Sequence, residues 1–126
     1  MKRDMELCRK ILFAIEEMYV DVSIINLSIK GYSVEEVAYH CKLMYEAGLI
    51  ESYKPKYGGN QILAFWVGSL TWEGHDFLDK IREESVWNKT KDTIKTKGLP
   101  MILDVIKDVA SAVVTSMTTA AISGMI

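Results

Sequence analysis

The chain has 126 residues, 49% of them hydrophobic and 25% charged, with a formal net charge of −2. That length and balance fit one ordinary globular domain and exclude disordered and low-complexity classes. The slight negative charge gives no global attraction to phosphate, so any nucleic-acid surface must be a local patch.

In chain order, Met5, Cys8, Ile11, Leu12, Ile15 and Met18 recur at steps of three and four between Lys2 and Met18. Charges fill the other side, which predicts an amphipathic first helix. This charged N-terminus has no signal-peptide core, and a cytoplasmic protein is expected. The next stretch changes character. Val22, Ile24, Ile25 and Ile29 are β-branched and the run stops at Gly31, which predicts a short strand. "SVEE" at Ser33–Glu36 has the pattern of a capping box, so a second helix starts at Ser33 and ends near Gly48.

At 100° per residue, Val34, Val37, Ala38, Cys41, Met44 and Tyr45 form the expected inward stripe of that helix. Glu36, Tyr39, Leu43 and Glu46 form the outer face, with His40 and Lys42 at the sides. Strand-like runs follow at Ile50–Lys54 and Gln61–Val67, joined by the turn residues of "KYGGNQ", which predicts a hairpin. Thr71 caps a further helix in which Trp72, Phe77, Leu78 and Ile81 are expected to face inward, and Gly74 to allow close backbone approach. A basic segment comes next, expected to be helical with Val86, Trp87 and Ile94 packing inward, and broken by Gly98 and Pro100. From about Met101 a last helix carries Ile102, Ile106, Val109, Val113 and Met117 on one stripe.

"AYHCKLMYEAGLIE" resembles the recognition-helix end of bacterial winged-helix repressors, and "SLTWEGHDFLDKI" resembles the segment that follows their wing. Over residues 1 to 110, "MKRDMELCRKIL", "GYSVEEVAYHCKLMYEAGLI", "LTWEGHDFLDKIREESVWNK" and "LPMILDVIKDVA" resemble the phage- and prophage-associated family called domain of unknown function 2513. The resemblance implies a winged-helix-like fold and a bacterial or phage setting, and brings no catalytic residue or ligand with it. The expected class is α+β: a winged-helix-like domain over residues 1–85, then a C-terminal helical extension over 86–126 made of a basic connector helix and an apolar packing helix.

Two readings of function stand side by side. One is a DNA-binding regulator whose contact to double-stranded DNA is weak and phosphate-driven. Lys54, Lys56 and Tyr57 of the wing and Lys89, Lys91, Lys95 and Lys97 of the connector are its candidate residues. The outer face of the second helix argues against base readout, because Ser33–Ala47 carries three glutamates against one lysine. The alternative is a protein-interaction module without DNA binding, using Tyr39 and Leu43 together with Ile102, Ile106, Val109, Val113 and Met117. A homodimer through the last helix is expected, although periodicity does not separate packing between chains from packing within one.

No enzyme is expected. His40 and His75 fall on different helices, and both read as structural histidines. Adjacent His40 and Cys41 point about 100° apart on a helix and form no dyad. Neither metal-ligand spacing nor a phosphate loop is present, so no metal, cofactor or small-molecule substrate is expected. Cys8 and Cys41 read as buried reduced thiols. The 18 residues after Asp108 carry no charge, but their six Ser or Thr side chains and the lack of a flanking anchor argue against a membrane span.

Overall fold

The computed structural model describes residues 1–18 and 23–125. Its elements run α1 (Met5–Glu17), β1 (Ile24–Ile25), α2 (Val34–Glu46), β2 (Tyr53–Gly58), β3 (Gln61–Val67), α3 (Trp72–Ile81), α4 (Glu84–Thr96) and α5 (Leu103–Ser123). Five helices and one small antiparallel sheet make the class α+β, as the sequence predicts. The chain divides into two compact units, Met1–Leu78 and Asp79–Ile126.

In the first unit, α1 begins at Met5 because Asp4 is extended and its carboxylate accepts from the amides of Glu6 (2.9 Å) and Leu7 (3.3 Å). Met5, Leu7, Cys8, Ile11, Leu12 and Ile15 are buried. Met18, expected on the same stripe, is the C-cap and is exposed. The predicted strand before Gly31 shortens to Ile24–Ile25; Val22 lies outside the described residues. Asn26 ends it in a left-handed conformation (φ 51°). Its amide donates to the Phe65 carbonyl (2.8 Å), and its Oδ1 accepts from the Phe65 amide (3.0 Å).

The capping box of α2 forms as read. Ser33 Oγ accepts from the Glu36 amide (3.1 Å) and Glu36 Oε1 accepts from the Ser33 amide (3.0 Å). At the other end Gly48 turns left-handed (φ 78°), and the amides of Gly48 and Leu49 donate to the carbonyls of Tyr45 (3.0 Å) and Met44 (2.9 Å). This is a Schellman closure, and it is why a glycine stands there. The buried stripe, however, is Val37, Ala38, His40, Cys41 and Met44. Val34 and Tyr45 are exposed, which corrects the expected stripe at both ends. They sit in the first and last turns, where the neighbouring elements no longer cover the helix. His40 takes a place on the inner face because both of its ring nitrogens find backbone partners there.

The sheet has the order β1-β3-β2, with Ile24 opposite Val67, Ile25 opposite Trp66, and Tyr53 also opposite Val67. β2 and β3 form the predicted hairpin, closed between Gly58 and Gln61 by the two-residue turn Gly59-Asn60. The first strand differs from expectation. Ile50 makes only an isolated bridge to Leu70, while β2 starts at Tyr53 and runs through Pro55. Proline has no amide to donate, which an edge strand tolerates. The register shifts between Lys56 and Tyr57, leaving Leu63 of β3 as the extra residue of a bulge.

α3 is tied to the end of α2 through backbone. The Thr71 amide donates to the Leu49 carbonyl (3.0 Å), and Thr71 Oγ1 accepts from the Gly74 amide (3.0 Å) while donating to the Gly48 carbonyl. A Cβ on Gly74 would lie 2.1 Å from the Leu49 oxygen, so only glycine fits. Phe77, Leu78 and Ile81 are buried as expected. Trp72 is the exception: it is 82% exposed. It occupies the first turn of α3, one residue beyond the threonine that caps it, and faces water.

In the second unit α4 buries Val86, Trp87 and Ile94, as its spacing predicts, and also Thr90. Gly98 (φ 65°) closes it, with the Leu99 amide donating to Ile94 (3.0 Å). α5 packs on α4 through Ile106, Ala110 and Val113. Of the expected seam, Ile106 and Val113 are covered within this unit. Ile102 is the exposed N-cap, Val109 is half-buried beside the true line through Ala110, and Met117 is exposed in the outer half of the helix.

Candidate nucleic-acid interface

Residues 53–67, the whole β2–β3 hairpin, contain two lysines and no carboxylate. Lys54 and Lys56 stand two residues apart in one strand and therefore share a face. Both are exposed. Opposite them in β3 lie Trp66 and Ala64, each half-buried, and beyond Trp66 in β1 lies exposed Ile25. The outer face of the sheet is thus a row of Ile25, Trp66 and Lys54 with a second lysine one pair further out. Tyr57, near the tip, is 59% exposed. Tyr53 is held more tightly, its ring 6.2 Å from that of Phe65, and burial first, then the neighbouring Tyr57, pushes its hydroxyl up to about 12. Trp66 was not among the residues singled out by sequence. The signal was the alternation of β3, in which Phe65 and Val67 point inward and Trp66 must point out.

Chemically, this face offers two ammonium groups for phosphate oxygens and an indole edge beside them. It offers no arginine for base edges, and its one asparagine and one glutamine, Asn60 and Gln61, are confined to the tip. The α2 outer face offers less. Glu35, Tyr39, Lys42, Tyr45 and Glu46 are exposed there, and Leu43 is half-buried. Glu36, engaged with Ser33 by backbone and side-chain hydrogen bonds, is held below the usual carboxylate range and is a fixed negative charge at neutral pH.

In the second unit, the four connector lysines do not make one patch. Lys89 and Lys97 line a shallow depression together with Asp92, Thr93 and Thr96. Lys95 is exposed outside that lining, and Lys91 is folded back with its Nζ 5.2 Å from the centre of the Trp87 ring. Among the described helices, α5 alone is long and apolar enough to cross a membrane by length and composition, and 17% of its most apolar window is buried.

His40 is buried, with Nε2 accepting from the Asp4 amide (2.8 Å) and Nδ1 donating to the Glu36 carbonyl (2.7 Å). It joins the cap of α1 to α2. His75 is exposed, its Nδ1 4.0 Å from Glu16. The thiols of Cys8 and Cys41 are both pushed up to about 12, by burial before any other cause. No group of three or more His, Cys, Asp or Glu side chains arranged to hold a metal occurs among the described residues.

Comparison with known proteins gives a family and assigns no activity. Residues 2–100 match the family model described as "Hypothetical protein (DUF2513)". The chain belongs to that family. It is 41% identical over 118 residues to a protein of Haemophilus influenzae (strain ATCC 51907 / DSM 11121 / KW20 / Rd) described as "Uncharacterized protein", covering 93% of this chain and 98% of that one. No solved structure matches the chain.

Proposed function

We propose that the chain is a regulatory protein of winged-helix type, from a phage or prophage setting, that binds duplex DNA weakly and without sequence preference through its β2–β3 hairpin. The order helix, strand, helix, hairpin, helix supports this reading as a winged helix whose middle helix is replaced by the irregular stretch after Ile25. The observation that carries it is the pair of exposed lysines on a hairpin without a single carboxylate. Each lysine placed on a phosphate releases a counterion and adds affinity that salt removes. The acidic outer face of α2 supplies the reason why no sequence is read.

Exposed Val34, Tyr39 and Tyr45 on α2 favour a second reading, a protein-interaction module. A mobility-shift titration on a duplex of arbitrary sequence separates the two. Binding at low salt that Lys54→Glu with Lys56→Glu weakens supports the hairpin contact. Equal affinity of wild type and variant removes the hairpin from the interface, and no shift at low salt favours the second reading.

A further inference from the structure

Where α2 ends and α3 begins, the surface chemistry reverses. Residues 43–53 and 68–78 carry Glu46, Glu51, Glu73 and Asp76 and neither lysine nor arginine. All four carboxylates are exposed. The two segments are bound to each other rather than merely near in sequence. Thr71 bonds to the carbonyls of Gly48 and Leu49, Ile50 bridges Leu70, and the Glu51 amide donates to Ser69 (2.9 Å). Glu73 Oε2 comes within 3.8 Å of where a Cβ on Gly48 would stand. Asp76 lies one helical turn from Trp72 on the same face of α3.

At the start of α3, beside Glu73, stands Trp72. Tryptophan is the side chain most enriched in protein-interface hot spots, and its ring face is the best of the three aromatics for a cation. Nothing local requires an indole there. Thr71 makes the cap, Gly74 makes the close approach, and Phe77, Leu78 and Ile81 make the core. Tyr45, in the last turn of α2 leading into Gly48, is a second aromatic 46% exposed. The only group of these segments that can become cationic is His75, and it faces Glu16 of α1.

We propose that this junction is a docking surface for a basic segment of a partner protein, with an arginine laid on Trp72 and Glu46, Glu51, Glu73 and Asp76 framing its charge. Arginine fits better than lysine because a guanidinium stacks flat on an indole while its N–H groups reach carboxylates at the ring's edge. Phosphate backbones and anionic lipid surfaces carry the wrong sign for this site. The surface is distinct from the hairpin and does not depend on the hairpin's role.

The test uses the full-length protein and two fluorescein-labelled 12-residue peptides, one alternating arginine with alanine and one alternating glutamate with alanine. Anisotropy should show saturable binding of the arginine peptide only, with a blue shift in the emission difference between wild type and Trp72→Ala. Trp72→Ala should weaken binding about thirty-fold, the scale of a hot-spot truncation. Trp72→Phe should restore part of the loss, and Glu73→Gln with Asp76→Asn should flatten the salt dependence. Lys54→Glu with Lys56→Glu should leave it unchanged. Equal binding of both peptides, or full affinity in Trp72→Ala at an unchanged melting midpoint, overturns the proposal. So does a dimer, seen by sedimentation, that Trp72→Ala dissociates, because the occupant is then a second copy.

Discussion

The β2–β3 hairpin and the α2–α3 junction are neighbours in sequence and opposites in chemistry. The hairpin has exposed lysines and no acid; the junction has exposed acids and no lysine or arginine. Their backbones differ just as much. The hairpin tip is built to tolerate change, with a two-residue turn, an edge strand carrying proline and a bulge. The junction is built on a close approach that admits only glycine at position 74. A rigid site and a pliant one therefore stand a few residues apart, and charge substitution in the hairpin should cost little where backbone substitution in the junction costs much.

The largest effect should come from Gly74→Ala. A methyl group 2.1 Å from a carbonyl oxygen forces α3 away from the α2 turn. The loss should be about 3 kcal/mol or more, as for severe overpacking. Leu49→Ala should follow at about 2–5 kcal/mol, since that side chain is buried beneath the same turn. Urea titration measures both, and an unchanged midpoint for either would show that the junction is not rigid.

High pH tests the core between α1 and α2. Cys8 and Cys41 have thiols raised from 9.0 to about 12 in the folded chain. The folded state holds these protons more tightly than the unfolded state. The stability they contribute is therefore fully present below about pH 9 and is lost as the pH climbs towards 12. At neutral pH both should react with thiol reagents only as fast as the chain opens, and rapid labelling of the native protein would contradict their burial.

Smaller effects sharpen the contrast. Ser33→Ala removes one half of the capping box and should cost about 1 kcal/mol. Trp72→Ala and Lys54→Glu with Lys56→Glu should each stay within about 0.5 kcal/mol of wild type, because all three side chains are exposed.

Much of this was legible in sequence wherever one local rule dominated. The capping box at Ser33, the left-handed turn at Gly48, the close approach at Gly74 and the break at Gly98 each follow from the chemistry of one or two residues. The misreadings share a cause as well. Val34, Tyr45 and Trp72 were all placed inward by periodicity, and all are exposed at or near element ends. Periodicity gives the direction of a side chain but not whether anything lies over it. His40 went the other way. Its burial depends on an amide of Asp4, 36 residues distant in the chain, which no local pattern records. The expected first strand, Ile50–Lys54, stopped short of Pro55, because the edge position that tolerates a proline is a property of the sheet.

The central claim, that the hairpin lysines are the nucleic-acid contact, is tested most directly by the salt dependence of duplex affinity. Anisotropy titrations of a labelled duplex over a range of monovalent salt give the slope of log K against log salt for wild type and for Lys54→Glu with Lys56→Glu. Each phosphate contact contributes about 0.9 to that slope, so loss of both lysines should lower its magnitude by about 2. An identical slope in wild type and variant would contradict the claim.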